Sequence, residues 1–242
     1  MPFLLRMAAD PTVHHRDELL RLAADIARRN YWGREGRTEL LLVTDPEPRF
    51  DVSGYLANWS IEASRNAIAA HAASLIGLLR DPDPRVRGRA AYALAAALPG
   101  GDAITDALRA RLSAETDATL QIGLVLAVAQ HARELTQTDT ALEWTRTLWS
   151  DPTQPAGVRL GAVIAWPCLT TAPPPPALVD AVTDLATPEM YDALHDVPWA
   201  LHLDNPRGLK AWFTILLHDT SDGAAPPQGV WGNDDPWADL ES

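Results

Sequence analysis

The side chains able to do chemistry in this chain are seven histidines, one cysteine and nine tryptophans. Their spacing decides which chemistry is open. His195 and His202 stand seven apart, which on a helix is two turns or ~10 Å along one face. A single metal ion needs its ligands within ~2.1 Å, so i, i+4 spacing would be expected instead. His14 and His15 are adjacent and diverge on a helix. There is no His-Glu-x-x-His and no Cys-x-x-Cys, and the sequence assigns no metal and no cofactor. Cys168 follows Pro167 in an apolar stretch and reads as a buried, inert thiol. No Gly-x-Ser-x-Gly elbow presents a nucleophile. Gly33-Arg34-Glu35-Gly36 lacks the Lys-Ser/Thr of a phosphate cradle. Recognition through aromatic anchors is the remaining chemistry, and Trp231 and Trp237, set among Asp234, Asp235, Asp239 and Glu241, fit it.

Charge narrows the partner. The 242 residues carry 20 Lys+Arg against 32 Asp+Glu, a net charge of −12. That opposes binding to nucleic acid, whose phosphates need clustered cations, and to an anionic membrane surface. Apolar residues make up 47%, enough for a sizeable core. One cysteine excludes an internal disulfide framework and fits a reducing compartment. No apolar run reaches the 18 or so residues of a membrane span, and the opening MPFLLRMAAD is too short for a signal peptide. The expected location is the cytoplasm.

The elements that must position these residues recur with a period of about thirty-five. In residues 75–98, Leu75, Leu78 and Leu79 share one helical face. Asp81-Pro82-Asp83-Pro84 then breaks the helix, because each proline biases its predecessor away from αR. Asp83 is placed to cap a second helix with Pro84 in its first turn, and Val86, Ala90, Leu94 and Ala97 form its apolar face. Similar junctions stand at Asp10-Pro11, Glu115-Thr116, Asp151-Pro152 and Thr187-Pro188, and the last four junctions are 34, 36 and 36 residues apart. Asp45-Pro46 falls near the midpoint of the longer first gap. Self-similarity at this period predicts stacked helix pairs, none able to bury its faces alone.

The Asp-Pro-Asp-Pro-x-Val-Arg turn followed by an alanine-rich helix resembles the HEAT-repeat superfamily, in the short bacterial form related to phycobilisome lyases. Asp83, Val86 and Arg87 carry the resemblance, Val158-Arg159 after Asp151-Pro152 repeats it, and residues 104–132 and 177–203 lack the Val-Arg pair. It covers roughly residues 1–205 and implies a right-handed α-solenoid of four to five helix pairs. The expected organisation is a HEAT-like α-solenoid over 1–219, with an inserted loop at 31–59, and a Pro-, Gly- and Asp-rich tail over 220–242 that reads as disordered. Leu209, Trp212, Phe213 and Leu216 predict a closing helix. Trp166-Pro167 and Val197-Pro198 predict kinks inside the later second helices.

In such a solenoid the second helix of each pair lines the concave side, and its outward positions form the binding surface. A helical wheel puts Arg85, Arg89 and Tyr92 there, then Gln121, and towards the C-terminus Trp166, His195, Trp199 and His202. Trp231 and Trp237 of the tail complete the expected partner-binding set. For each aromatic the competing assignment is packing between helices. The expected function is a noncatalytic protein–protein scaffold or adaptor for another protein or peptide. The alternative is a HEAT-fold enzyme or ligand binder, lyase-like or DNA glycosylase-like. Alkylpurine DNA glycosylases share the implied architecture, and their concave Asp with tryptophans beside it is matched by Asp196 and Trp199.

Overall fold

The computed structural model describes residues 1–28, 37, 39–44, 59–98, 102–200, 213, 216 and 217. Among them the chain forms eleven helices and no strand. They are α1 (Pro2–Ala9), α2 (Arg16–Ile26), α3 (Trp59–Ala70), α4 (Ala72–Leu78), α5 (Pro84–Leu94), α6 (Ala103–Ala114), α7 (Ala118–Glu134), α8 (Thr138–Ser150), α9 (Ala156–Cys168), α10 (Pro176–Leu185) and α11 (Pro188–His195). The all-helical class is as the periodicity predicts.

Helices α2, α5, α7 and α9 pack one on the next in series, and α1, α4, α6 and α8 each pack on the helix that follows them. The series is apolar because its sequence is. Eleven of the thirteen residues of α9 are buried, as is every residue of α7 from Leu120 to Ala132. Helices this apolar all round cannot face water. Small residues allow the closest approach. A Cβ added at Gly161 would lie 2.9 Å from the Val125 Cβ and 3.0 Å from the Ile122 backbone.

One device turns the chain between helices. The carboxylate of Asp10 accepts the Thr12 amide at 2.9 Å, Asp81 that of Asp83 at 3.0 Å, Glu115 that of Asp117 at 3.2 Å, and Asp151 that of Thr153 at 2.9 Å. Each is an acid bonding its own loop two residues on, which closes the turn without a backbone partner. Asp83 and Asp117 then cap α5 and α7 by accepting the Arg85 and Leu120 amides. Arg87, in the Val-Arg pair, donates to the Asp81 carbonyl at 2.9 Å and pairs with Glu115. Arg111 joins the same carboxylate at 2.6 Å. Burial raises the Glu115 pKa, yet the Asp117 amide and the Arg111 and Arg87 guanidiniums hold it below the usual value.

Three expectations change. Trp59, placed in the insertion, begins α3. The rest of that insertion lies largely outside the described residues, but Leu41 and Val43 within it are fully buried. Val197-Pro198 is not inside a helix, since α11 ends at His195. Pro167 does sit within a helix, in the last turn of α9, where α9 ends anyway. Phe213 and Leu216 of the predicted closing helix are buried. The tail lies outside the described residues.

Candidate functional site

Helix α11 behaves differently from α2, α5, α7 and α9. Thr187 caps α11 by accepting the Met190 amide at 3.4 Å, and Pro188 occupies its first turn. Only Leu194 of its eight residues is buried. Met190 and Ala193 pack half-buried against the core, and α11 contacts both α7 and α9. The Thr119 hydroxyl of α7 donates to the Ala193 carbonyl of α11 at 3.0 Å. Val197, Pro198 and Trp199 follow, all buried.

Trp199 enters a socket built by three elements. Its ring meets Tyr92 of α5 edge-on, with centroids 4.8 Å apart and planes at 78°. That is the T-shaped geometry the aromatic quadrupole prefers. Its Nε1 donates to Gln130 Oε1 of α7 at 2.7 Å. The same Gln130 donates from Nε2 to the Ala95 carbonyl at 3.0 Å, so both halves of the amide are used. Gly123 lies beneath the indole, whose Cζ3 is in ordinary van der Waals range, 3.9 Å, of where a Cβ would be. Arg28, just past α2, stacks over Tyr92 at 3.6 Å and reaches 5.9 Å from the Trp199 ring. Arg28 also donates to the Tyr92 carbonyl, one of the free acceptors at the end of α5. Burial raises the Tyr92 pKa, and the Arg28 charge works against the rise.

Beside the socket an open cleft of about 350 Å³ lies between the first turns of α2, α5 and α7 and the chain after α11. Arg85 and Arg89 line it with the carboxylates of Asp17, Glu18, Asp117 and Asp196. Arg89 is half-buried and its Nη1 has no hydrogen-bond partner. Burial lowers its pKa, and Arg21 adds to that, while a guanidinium stays charged at any ordinary pH. The cleft therefore offers both signs of charge next to a filled aromatic socket.

The structure brings Arg85, Arg89, Tyr92 and Trp199 to this region, while Gln121, Trp166 and His195 do not line the cleft. Arg85 is exposed, as expected. Tyr92 and Trp199 were expected to face outward and are instead buried, at 4% and 6% exposure, because each covers the other. Gln121 is buried as well. Its Nε2 donates to the Glu115 carbonyl at 2.8 Å, and its Oε1 lies against Gly157 of α9. Trp166 is buried in α9 with its Nε1 unpartnered, since that helix is enclosed on nearly every side. His195 is exposed on α11. His202, Trp231 and Trp237 lie outside the described residues. Asp196 and Trp199 do not form a joint site, because Asp196 is exposed at the cleft while the indole fills the socket. The sequence reading missed Arg28, Thr119 and Gln130. Of these only Gln130 carries a signal, as a polar residue closing a long apolar run.

Thr105 and His131 form a hydroxyl–imidazole pair at 3.1 Å, but both are buried and His131 has no exposed surface. Burial pushes the Cys168 thiol up to about 12, which leaves it protonated and unreactive. Among the described residues no group of three or more His, Cys, Asp or Glu is placed to hold a metal ion, and no helix is long and apolar enough to cross a membrane. Comparison with family models, curated proteins and solved structures returns no match.

Proposed function

We propose that this chain is a right-handed α-solenoid of HEAT-type helix pairs and works in the cytoplasm as a noncatalytic scaffold for another protein or peptide. The alternation of packed helices along the series α2, α5, α7, α9 supports the architecture. So does the shared carboxylate turn at Asp10, Asp81, Glu115 and Asp151. The single observation that carries the function is the Trp199 socket with its charged cleft. Two aromatics meeting edge-on, with an arginine over one of them and Arg85 and Arg89 at the border, form the kind of desolvated anchor and polar rim that recognises a polypeptide. An external segment engages the open cleft, where Arg85 and Arg89 meet its carboxylates or carbonyl groups.

The test is quantitative affinity purification from the native source with the wild-type chain and the Arg85→Glu variant. Arg85 is exposed, so the variant should melt at an unchanged temperature. The expected result is a protein recovered with the wild type and lost from the variant. Identical recovery from both, or turnover of a small molecule by the purified chain, would overturn the reading.

A further inference from the structure

The segment that plugs the socket occurs twice in the sequence. Asp196-Val197-Pro198-Trp199-Ala200 is matched by Asp234-Asp235-Pro236-Trp237-Ala238, with one difference in five positions. We propose that the socket of Arg28, Tyr92, Gly123 and Gln130 is a recognition site for the Asp-x-Pro-Trp-Ala segment. The chain then carries two ligands for it: a resident at 196–200 and a challenger at 234–238 that takes the socket in cis when the resident leaves.

Three of the four shared residues have a job in the resident pose. Trp199 supplies the edge-on contact with Tyr92 and the bond to Gln130. Pro198 fixes the backbone as it passes the cleft, and Asp196 stands in the same cleft as Arg85 and Arg89. Asp234, Pro236 and Trp237 keep all three features. The one mismatch sets the order of preference. Val197 is fully buried, and an aspartate in its place brings a carboxylate to an apolar position, so the tail is the weaker ligand. Leu217 is buried, and residues 218–233 reach about 55 Å when extended. A linker of that kind keeps its ligand at high effective concentration, so a weak segment still competes. Trp231 follows Val230 and precedes Gly232, without the Asp or the Pro, and serves as the internal control.

This inference rests on the proposed reading only in treating the socket as a recognition surface. The experiment therefore reads tail and socket directly in the full-length chain. A photo-crosslinking benzoylphenylalanine replaces Asp239, and intramolecular cross-links are mapped by mass spectrometry. Cross-links to the peptides holding Tyr92 or Gln130 should rise about fivefold in Trp199→Ala, be lost with added Trp237→Ala and be unmoved by Trp231→Ala. If Trp199→Ala does not fold, Asp235→Val answers the same question, because it makes residues 234–238 identical to 196–200 and leaves the socket residues unchanged. It should raise the same cross-links. Cross-links elsewhere only, or at the socket but indifferent to Trp237→Ala or Asp235→Val, overturn the proposal. A chain that captured no external partner would still give these cross-links, and one that captured a partner without them would lose this inference alone.

Discussion

Asp10, Asp81, Glu115 and Asp151 close the first four junctions of the chain in one way, and Thr187 closes the fifth in another. In the four, a carboxylate holds its own loop and the helix that follows enters the series or begins it. In the fifth, a hydroxyl caps a helix that contacts both α7 and α9 and buries little. The helices differ in the same sense. α9 buries eleven of thirteen residues, and α11 one of eight. Two parts of one chain with the same period thus do different work. One is a core that cannot come apart without unfolding. The other is a strap, held by the Thr119 hydroxyl, by Trp199 and by the buried Leu194, Val197 and Pro198.

The comparison is broken most forcefully at a junction. Glu115→Ala removes the acceptor of two loop amides and the carboxylate shared by Arg87 and Arg111, leaving Arg87 with the Asp81 and Pro82 carbonyls and no counter-charge. The expected loss is about 3 kcal/mol, as for other buried pairs left with one partner. Thr187→Ala at the fifth junction should cost under about 1 kcal/mol, the worth of a cap with a long bond. Equal losses for the two in chemical denaturation would erase the distinction.

The close approach of α7 and α9 is the next test. Gly161→Val drives a branched side chain into the Ile122 backbone and the Val125 Cβ. Overpacking against backbone costs about 2–3 kcal/mol, and only part of that is offset by the better helix propensity of a non-glycine residue. The melting transition should shift as a whole. A variant as stable as the wild type would show that α9 can move off α7, as a strap does.

Much of the core was legible in these same terms. Leu75, Leu78, Leu79, Val86, Ala90 and Leu94 are buried as their spacing predicts, and the acids of the Asp-Pro junctions mark the real turns. The wheel failed at Gln121 for a physical reason. α7 is buried on nearly all sides, so the direction of a residue on it says nothing about solvent. The socket was half legible. Tyr92 and Trp199 were singled out, but their pairing joins residues 107 apart and depends on where α11 goes. The local pattern does not encode that path. Arg28 was invisible, because one arginine among many carries no signal until its neighbours are known.

The strap is tested by Thr119→Val, which keeps shape and deletes the hydroxyl that donates to Ala193. The expected loss is about 1 kcal/mol, the net worth of one hydrogen bond. Its distribution matters more than its size. Amides of α11 should exchange faster while those of α7 keep their protection, since a strap opens locally. Faster exchange in both helices would make α11 part of the cooperative core.

His131 gives the gentlest probe, because pH reaches it without a mutation. It lies at the C-terminal end of α7 with no exposed surface, its Nδ1 bonded to the Thr105 hydroxyl and its Nε2 unpartnered. Burial lowers its pKa first, and Arg65 of α3 adds to that, while Asp102 at the start of α6 acts weakly the other way. The unfolded chain therefore binds a proton at higher pH than the folded one. Stability from this residue is fully present above the unfolded value near 6.5 and is lost as pH falls from there through the folded value. His131→Gln should flatten that part of the stability curve. Because His131 belongs to α7, the acid-sensitive protection should be that of the core helices, with α11 following only as far as it depends on them. Loss confined to α11 would place the titrating group in the strap and reverse the assignment of the two regions.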